Sequence, residues 1–200
     1  MPKHSSPSSS RPDALPVVIV LAAGRGERFA ASGGTTHKLA ALLAGKTVLD
    51  HVLAAVQESG LPHHLVQADA LRPGMGDSIA AGVRATADAA GWLVLPADLP
   101  LVRADSLRAV AAALAQQPVA VPMYLGQRGH PVAFSAACRE QLLVLQGNQG
   151  AARVLRSFQA TNSVARVMLD DIGIVTDVDT VEDLARAEAL LAARQAGSAS

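Results

Sequence analysis

An α/β fold with a mostly parallel sheet is predicted by three observations on this 200-residue chain. Short β-branched runs alternate with Ala/Leu-rich segments of helical period. The strand ends at Ala22, Leu95 and Val175 are each soon followed by Gly or Asp, where open α/β sheets bind ligands. Half of the residues are apolar, enough for one domain to bury about 70% of its unfolded surface without metal or disulfide staples.

The polar, Ser/Pro-rich stretch Met1 to Pro16 reads as a disordered tail. The apolar run behind it imitates a signal peptide, with Lys3 and Arg11 ahead and Ala22-Ala23 as the cleavage site. Asp13, Pro16 and the dense charge of Arg25, Glu27 and Arg28 favour instead a buried parallel strand, Val17–Ala22. Further strands are expected at His64–Ala68, Trp92–Leu95, Val119–Pro122, Pro131–Phe134, Arg166–Leu169 and Ile174–Val175. Helices are expected at Thr47–Ser59, Asp77–Ala89, Asp105–Gln116, Ala136–Leu145, Gly150–Ser157 and Val181–Arg194. In the last of these, Val181, Leu184, Ala187 and Leu190-Leu191 share a face, and Thr180 with Asp183 forms a capping-box-like start. The domain is thus expected over residues 17–194, with 195–200 fraying.

Composition excludes several classes of function. Seventeen basic against seventeen acidic residues leave no surplus for a nucleic-acid polymer. One Trp, one Tyr and three Phe offer almost no stacking platform, while alanine occurs 40 times. The single Cys138 excludes an internal disulfide and a multi-cysteine zinc site. No apolar stretch approaches the roughly 20 residues of a spanning helix. The expected setting is cytoplasmic.

The first strand leads into Leu21-Ala-Ala-Gly-Arg-Gly-Glu-Arg-Phe29, then Ala-Ser-Gly-Gly-Thr-Thr, then His37-Lys38-Leu39. Gly24 and Gly26 let backbone amides approach an anion, and Arg28 and Lys38 supply positive charge. A dinucleotide fingerprint fails at Phe29, where a third glycine is required. A Walker A loop ending in Gly45-Lys46-Thr47 fails at Ala40, so Gly45-Lys46 reads as a turn. A bare Gly-x-Gly is as readily a structural turn as a phosphate cradle; what distinguishes this loop is the pattern it makes with Arg28 and Lys38.

That pattern resembles the opening signature of the molybdenum cofactor cytidylyltransferase-like (MobA-like NTP transferase) family. Ala22-Ala23-Gly24, in place of Ala-Gly-Gly, resembles the cytidylyltransferase branch. The resemblance implies a three-layer Rossmann-like nucleotidyltransferase fold. It also implies that Leu21, Ala22, Ala23, Gly24, Gly26, Arg28 and Lys38 bind the nucleoside triphosphate. Phe29 and a longer insert stand where the family has Met-Gly and a shorter run.

Five further segments match in order. Gly74-Met-Gly-Asp-Ser78 with Gly82 is similar to a segment near the nucleotide, implicating Gly74 and Ser78; Asp77 or Ser78 is also a natural helix N-cap. Leu95-Pro-Ala-Asp98-Leu-Pro100-Leu resembles the strand end whose aspartate holds magnesium, a hard cation suited to carboxylate and phosphate oxygens. Asp105 is the better cap for the helix that follows. Gly126-Gln-Arg-Gly129-His130-Pro131-Val and Gly147-Asn148-Gln149-Gly150-Ala151 resemble acceptor-side segments, implicating His130 and Gln149. Asn148 and Ala152 stand where aspartate and arginine are usual. Thr176-Asp177-Val-Asp179-Thr-Val-Glu-Asp183-Leu resembles the last motif and makes Asp179 the second metal ligand, ahead of Asp177, with helix capping as the alternative role of both. His4, His51 and the adjacent His63 and His64 carry no site. Thirteen residues, Leu61 to Pro73, stand where the family fits strand, helix and strand, so one edge βα unit is expected to be missing.

The resemblance therefore implies a Mg²⁺-dependent transfer from a nucleoside triphosphate, CTP favoured, to a phosphate-bearing pterin, with release of pyrophosphate. Lys38, Arg28 and Asp98 are the catalytic candidates. No membrane partner is implied; a molybdoenzyme or its chaperone is a further partner. GTP or another acceptor, or a non-catalytic nucleotide- or cofactor-binding chaperone, are the alternative readings.

Overall fold

The computed structural model describes residues 14–67 and 74–198. The tail through Asp13, the expected strand end at Ala68, the turn at Pro73 and the final two residues lie outside the described residues.

Strand β1 (Val17–Ala22) pairs in parallel with β4 (His63–Gln67) and with β5 (Gly91–Pro96). The sheet continues through β8 (Val132–Ser135), antiparallel to both β5 and β6 (Val119–Tyr124). β7 (Gln127–Arg128) folds back on the end of β6, and β9 (Val164–Met168) runs parallel to β6. The sheet is therefore mixed, with the parallel β4–β1–β5 arrangement ahead of the site.

Alternation along β1 shows why the sheet is covered on both faces. Val18 and Val20 enter one core cluster and Val17 and Ile19 the other; Leu93 and Leu95 divide in the same way from Trp92 and Val94 on β5. Helices α2 (Val48–Ser59), α4 (Ala104–Ala112) and α7 (Val181–Ser198) contribute to the first cluster. Helices α3 (Met75–Ala85), α5 (Arg139–Leu143) and α6 (Ala152–Gln159) contribute to the second. The result is the expected three-layer architecture. β4 leads to α3 with only residues 68–74 between them, which matches the short connection read from Leu61 to Pro73.

Several local expectations are corrected. Ile174–Val175 is not a strand but part of a 3₁₀ turn, Ile172–Val175, because the Asp171 carboxylate accepts the Gly173 N–H at 3.0 Å and winds the backbone there. Asp105 does not cap α4: the N–H of Arg103, its N-cap residue, donates to Asp171, 3.0 Å away, and Asp105 instead pairs with Arg108. Neither Asp77 nor Ser78 caps α3, which starts two residues earlier behind Gly74. The Asp77 carboxylate accepts the Gly147 N–H at 2.9 Å, and the Ser78 hydroxyl donates back to the Gly74 carbonyl. The segment expected as one helix from Ala136 to Leu145 divides into a 3₁₀ turn, Ala136–Cys138, and α5. Cys138 is buried there, and desolvation pushes its thiol up to about 11.

Two small elements went unforeseen. Gly26, with φ +67°, starts the five-residue α1 (Glu27–Ala31), a conformation that costs a residue with a Cβ about 1–2 kcal/mol. β2 (Leu42–Leu43) and β3 (Lys46–Thr47) form a hairpin around Ala44 and Gly45, both at positive φ, which is the turn expected at Gly45-Lys46. Among the described residues no helix is long and apolar enough to cross a membrane.

Candidate active site

A cleft of about 700 Å³ opens beyond the carboxyl ends of β1 and β5, the position at which open α/β sheets bind ligands. Leu21, Ala23, Gly24, Arg28, Lys38, Ser78, Asp98, His130 and Asp179, all expected in the site, line it. Gly26 lines a smaller depression beside it, with Arg28, Lys38 and Asp179.

The centre is a chain of four charges. Lys38 is only 8% exposed, and its Nζ donates to Asp98 Oδ2 at 2.6 Å and to Asp179 Oδ1 at 2.7 Å. The other oxygen of Asp179 meets Arg28 Nη2 at 2.7 Å. Burial alone would lower the Lys38 pKa, but the two carboxylates outweigh it and hold the ammonium above its ordinary range. Removing one partner of a buried pair usually costs about 3–5 kcal/mol, so the lysine and its acids depend on one another.

Distant segments bring these groups together. Asp98 stands two residues past the end of β5, and its carbonyl accepts the Val178 N–H at 2.9 Å, which draws the segment before α7 over the β5 end. Asp179 is spared from capping because Thr180 and Asp183 do it. The Asp183 carboxylate accepts from the N–H of Asp179 and of Thr180, and the Thr180 hydroxyl accepts the Asp183 N–H. That reciprocal arrangement is the capping-box-like start read at Thr180. These hydrogen bonds hold Asp183 below the usual carboxylate range despite its partial burial.

On the opposite wall, the β6–β8 ladder is interrupted around Gly129–Pro131, and β7 brings Gln127 and Arg128 to the rim. The His130 N–H donates to the Ile174 carbonyl at 2.9 Å, tying this wall to the 3₁₀ turn. The imidazole stays solvent-accessible, yet desolvation by the surrounding wall holds it below the ordinary histidine range; the nearby Asp98 charge opposes this and Arg128 reinforces it.

Three expected contacts fall elsewhere. Gly74 is packed against the loop before α6: a Cβ there would lie 2.2 Å from the Gly147 backbone, so close approach explains this glycine. Gln149 does not line the cleft, whereas Asn148, read only as a departure, does. Ala22 sits in the β1–β4 ladder opposite Gln67. Sequence reasoning missed Gln127 and Arg128 as lining residues, although the quoted Gly126–Pro131 segment contained them. It also missed Asp171, 1% exposed, which accepts from Arg103 N–H, Ser106 Oγ and Gly173 N–H and faces the guanidinium groups of Arg103 and Arg194. An acid in a loop carries no signal of this kind.

Residues 18–167 match the MobA-like NTP transferase domain family. The chain belongs to that family. It is 32% identical over 196 residues to the purine catabolism protein PucB of Bacillus subtilis (strain 168), covering 82% of this chain and 92% of PucB. Among solved structures it is similar to Mth528, a nucleotidyl transferase from Methanothermobacter, with a TM-score of 0.69 at 22% identity, covering 87% of this chain and 96% of that one. It is also similar to Rv0371c of Mycobacterium tuberculosis H37Rv in complex with manganese, with a TM-score of 0.64 at 20% identity, covering 86% of this chain and 97% of that one. At these identities the structures speak for the fold alone, a nucleotidyltransferase-like α/β fold.

Divalent metal is usual for this family, and the donor set here suits it. Asp98 and Asp179 present carboxylate oxygens within 2.7 Å of one shared cationic point, where the Lys38 ammonium stands. Among the described residues no third acid, histidine or cysteine joins them in a metal-binding group. Two carboxylates completed by phosphate oxygens and water are the donors a small hard cation such as Mg²⁺ or Mn²⁺ takes.

Proposed function

We propose that this nucleotidyltransferase-family protein transfers a nucleotidyl group from CTP to the phosphate of a molybdopterin-type cofactor. The products are the dinucleotide cofactor and pyrophosphate. The observation that carries this reading is the Arg28–Asp179–Lys38–Asp98 chain at the centre of the cleft, beside the glycine loop.

The amides of Gly24, Arg25 and Gly26 donate to no protein acceptor among the described residues, so they are available to a phosphate. Arg28, 77% exposed at its side chain, can turn its guanidinium from Asp179 to the terminal phosphates. Lys38 carries a point charge on a flexible stem and can transfer its hydrogen bonds from the carboxylates to the α-phosphate. An acceptor phosphate oxygen then attacks the α-phosphorus, a new P–O bond forms, and the bond to the bridging oxygen of pyrophosphate breaks. A phosphomonoester has a second pKa near about 6, so it is already an anionic nucleophile at neutral pH and needs no general base. Mg²⁺ bound at Asp98 and Asp179 would supply further charge neutralisation for the triphosphate. His130, held neutral, and Asn148 and Arg128 line the acceptor half; Ser78 lines the nucleotide half. Gly74 and Gln149 would act by shaping the walls.

Pyrophosphate release with Mg²⁺, molybdenum cofactor and each of the four nucleoside triphosphates tests the reading. CTP is expected to turn over fastest. Turnover with GTP alone would move the protein to the guanylyl branch. Thermal stabilisation by one nucleotide without any release would make it a nucleotide-binding chaperone. PucB is a purine catabolism protein, so other phosphate-bearing acceptors belong in the same assay.

A further inference from the structure

We infer that His37 is a clip that joins the glycine loop to the lysine segment and thereby sets the affinity for the triphosphate. Two contacts define it. Nδ1 accepts the Leu39 N–H at 3.3 Å, capping the 3₁₀ turn Lys38–Ala40. Nε2 stands 2.8 Å from the Gly24 carbonyl oxygen. A ring nitrogen that accepts at Nδ1 must carry its hydrogen on Nε2, where it donates to Gly24, so one neutral tautomer makes both bonds. The ring also covers Gly26, whose added Cβ would lie 3.3 Å from Cδ2 and Nε2.

The clip matters because of what it closes. The phosphate cradle has two halves, the free amides of Gly24 to Gly26 and the Lys38 ammonium. Between them lies the segment Glu27 to Thr36. That segment has its own anchors: Phe29 is buried in the core, and the Ser32 hydroxyl accepts the Val181 N–H at 3.0 Å. Neither anchor bonds to the cradle. Among the described residues the His37–Gly24 contact is the one hydrogen bond between segments 23–26 and 37–40. Holding both halves in register before ligand arrives reduces the ordering that binding must otherwise supply. His37 touches no reacting group and is a positioning residue.

The inference rests on reading the loop as a triphosphate cradle, and its test separates the two. His37→Asn keeps an N-cap acceptor for the Leu39 N–H but is too short to reach Gly24, whereas His37→Gln restores a donor of the required length. Calorimetric titration of each of the four nucleoside triphosphates with Mg²⁺, without acceptor, is paired with amide hydrogen exchange over residues 22–28 of the ligand-free protein. H37N is expected to bind nucleotide about tenfold more weakly and to exchange faster across the loop, with H37Q recovering most of both. In turnover the loss should fall on KM for the nucleotide more than on kcat. Wild-type affinity and wild-type exchange in H37N would overturn the clip. Equal losses in H37N and H37Q accompanied by equal falls in Tm would also overturn it, since general destabilisation would then explain them. Failure of wild-type protein to bind any of the four nucleotides would overturn the cradle reading itself, while the exchange comparison would still decide whether the clip exists.

Discussion

The side of the cleft proposed for the nucleotide is supplied largely by one stretch of chain, Leu21 to Lys38, whose cations are already answered by acids. Arg25 faces Glu27, Arg28 faces Asp179, and Lys38 faces both Asp98 and Asp179. The side proposed for the acceptor is assembled from three remote pieces: the β6–β7 hairpin, the 3₁₀ turn at Ile172–Val175 and the loop before α6. Its one guanidinium, Arg128, has no carboxylate partner among the described residues. A pre-paired cluster can exchange one set of oxygens for another without creating an unpaired buried charge. An unpaired rim arginine can only gain an anion. The first arrangement suits a ligand that brings phosphates and metal together; the second suits a single anionic group.

The sharpest way to break this contrast is at the shared centre. Asp98→Ala is expected to lower pyrophosphate release by about 10³-fold or more, the scale of losing a preorganised electrostatic group. The fold should survive, because Lys38 keeps Asp179 as a partner. Turnover equal to wild type would remove Asp98 from the site.

The next effect belongs to the acceptor side and acts through stability. Asp171→Ala leaves the N–H groups of Arg103 and Gly173 and the Ser106 hydroxyl without their acceptor in a buried position. Urea unfolding should show a loss of about 3 kcal/mol. KM for the acceptor should rise with it, since the turn that Asp171 winds holds the His130 backbone. A loss below about 1 kcal/mol would show that water replaces the carboxylate.

The same contrast explains what was legible in the sequence. Gly24, Arg28 and Lys38 are separated by short spacings, and Asp98 and Asp179 sit in short motifs at a strand end and before a helix, so contiguous residues carried the resemblance that picked them out. The strands of the core were legible for the same local reason, since alternation and β-branching are properties of contiguous residues. The acceptor wall depends on long-range contacts. Asn148 rather than Gln149 faces the cleft because the N-terminus of α3 docks on the Gly147 backbone, and nothing in either segment alone announces that approach. Ile174–Val175 has strand composition but takes a 3₁₀ turn, because an aspartate three residues earlier offers its carboxylate to the backbone. Arg103 needed no local cap because the same aspartate reaches it from 68 residues away in the chain.

A smaller expected effect sharpens the electrostatic half of the comparison. Arg128→Ala should raise KM for a phosphate-bearing acceptor about tenfold, the value of a charge-assisted hydrogen bond, and leave the dissociation constant of the nucleotide near that of wild type. Lys at this position should recover part of the loss through its charge but not the two-pronged geometry. An equal loss of nucleotide affinity would show that both ligands share one anion site, and the division of the cleft into two halves would fail.

The smallest effect concerns how Asp179 is kept free for the site. Asp183, which caps α7 in its place, has a folded pKa below its unfolded value of about 3.9, so its ionised form is the one the fold favours. Its contribution is therefore complete above that unfolded value and is lost as pH falls through the lower folded one. Asp183→Ala should cost about 1 kcal/mol at pH 7, typical of a lost N-cap. The difference between variant and wild type, followed by urea unfolding at stepped pH, should hold steady down to about pH 4 and close below it. A difference that persisted unchanged to pH 2 would mean that the carboxyl's packing, and not its charge, holds the α7 start.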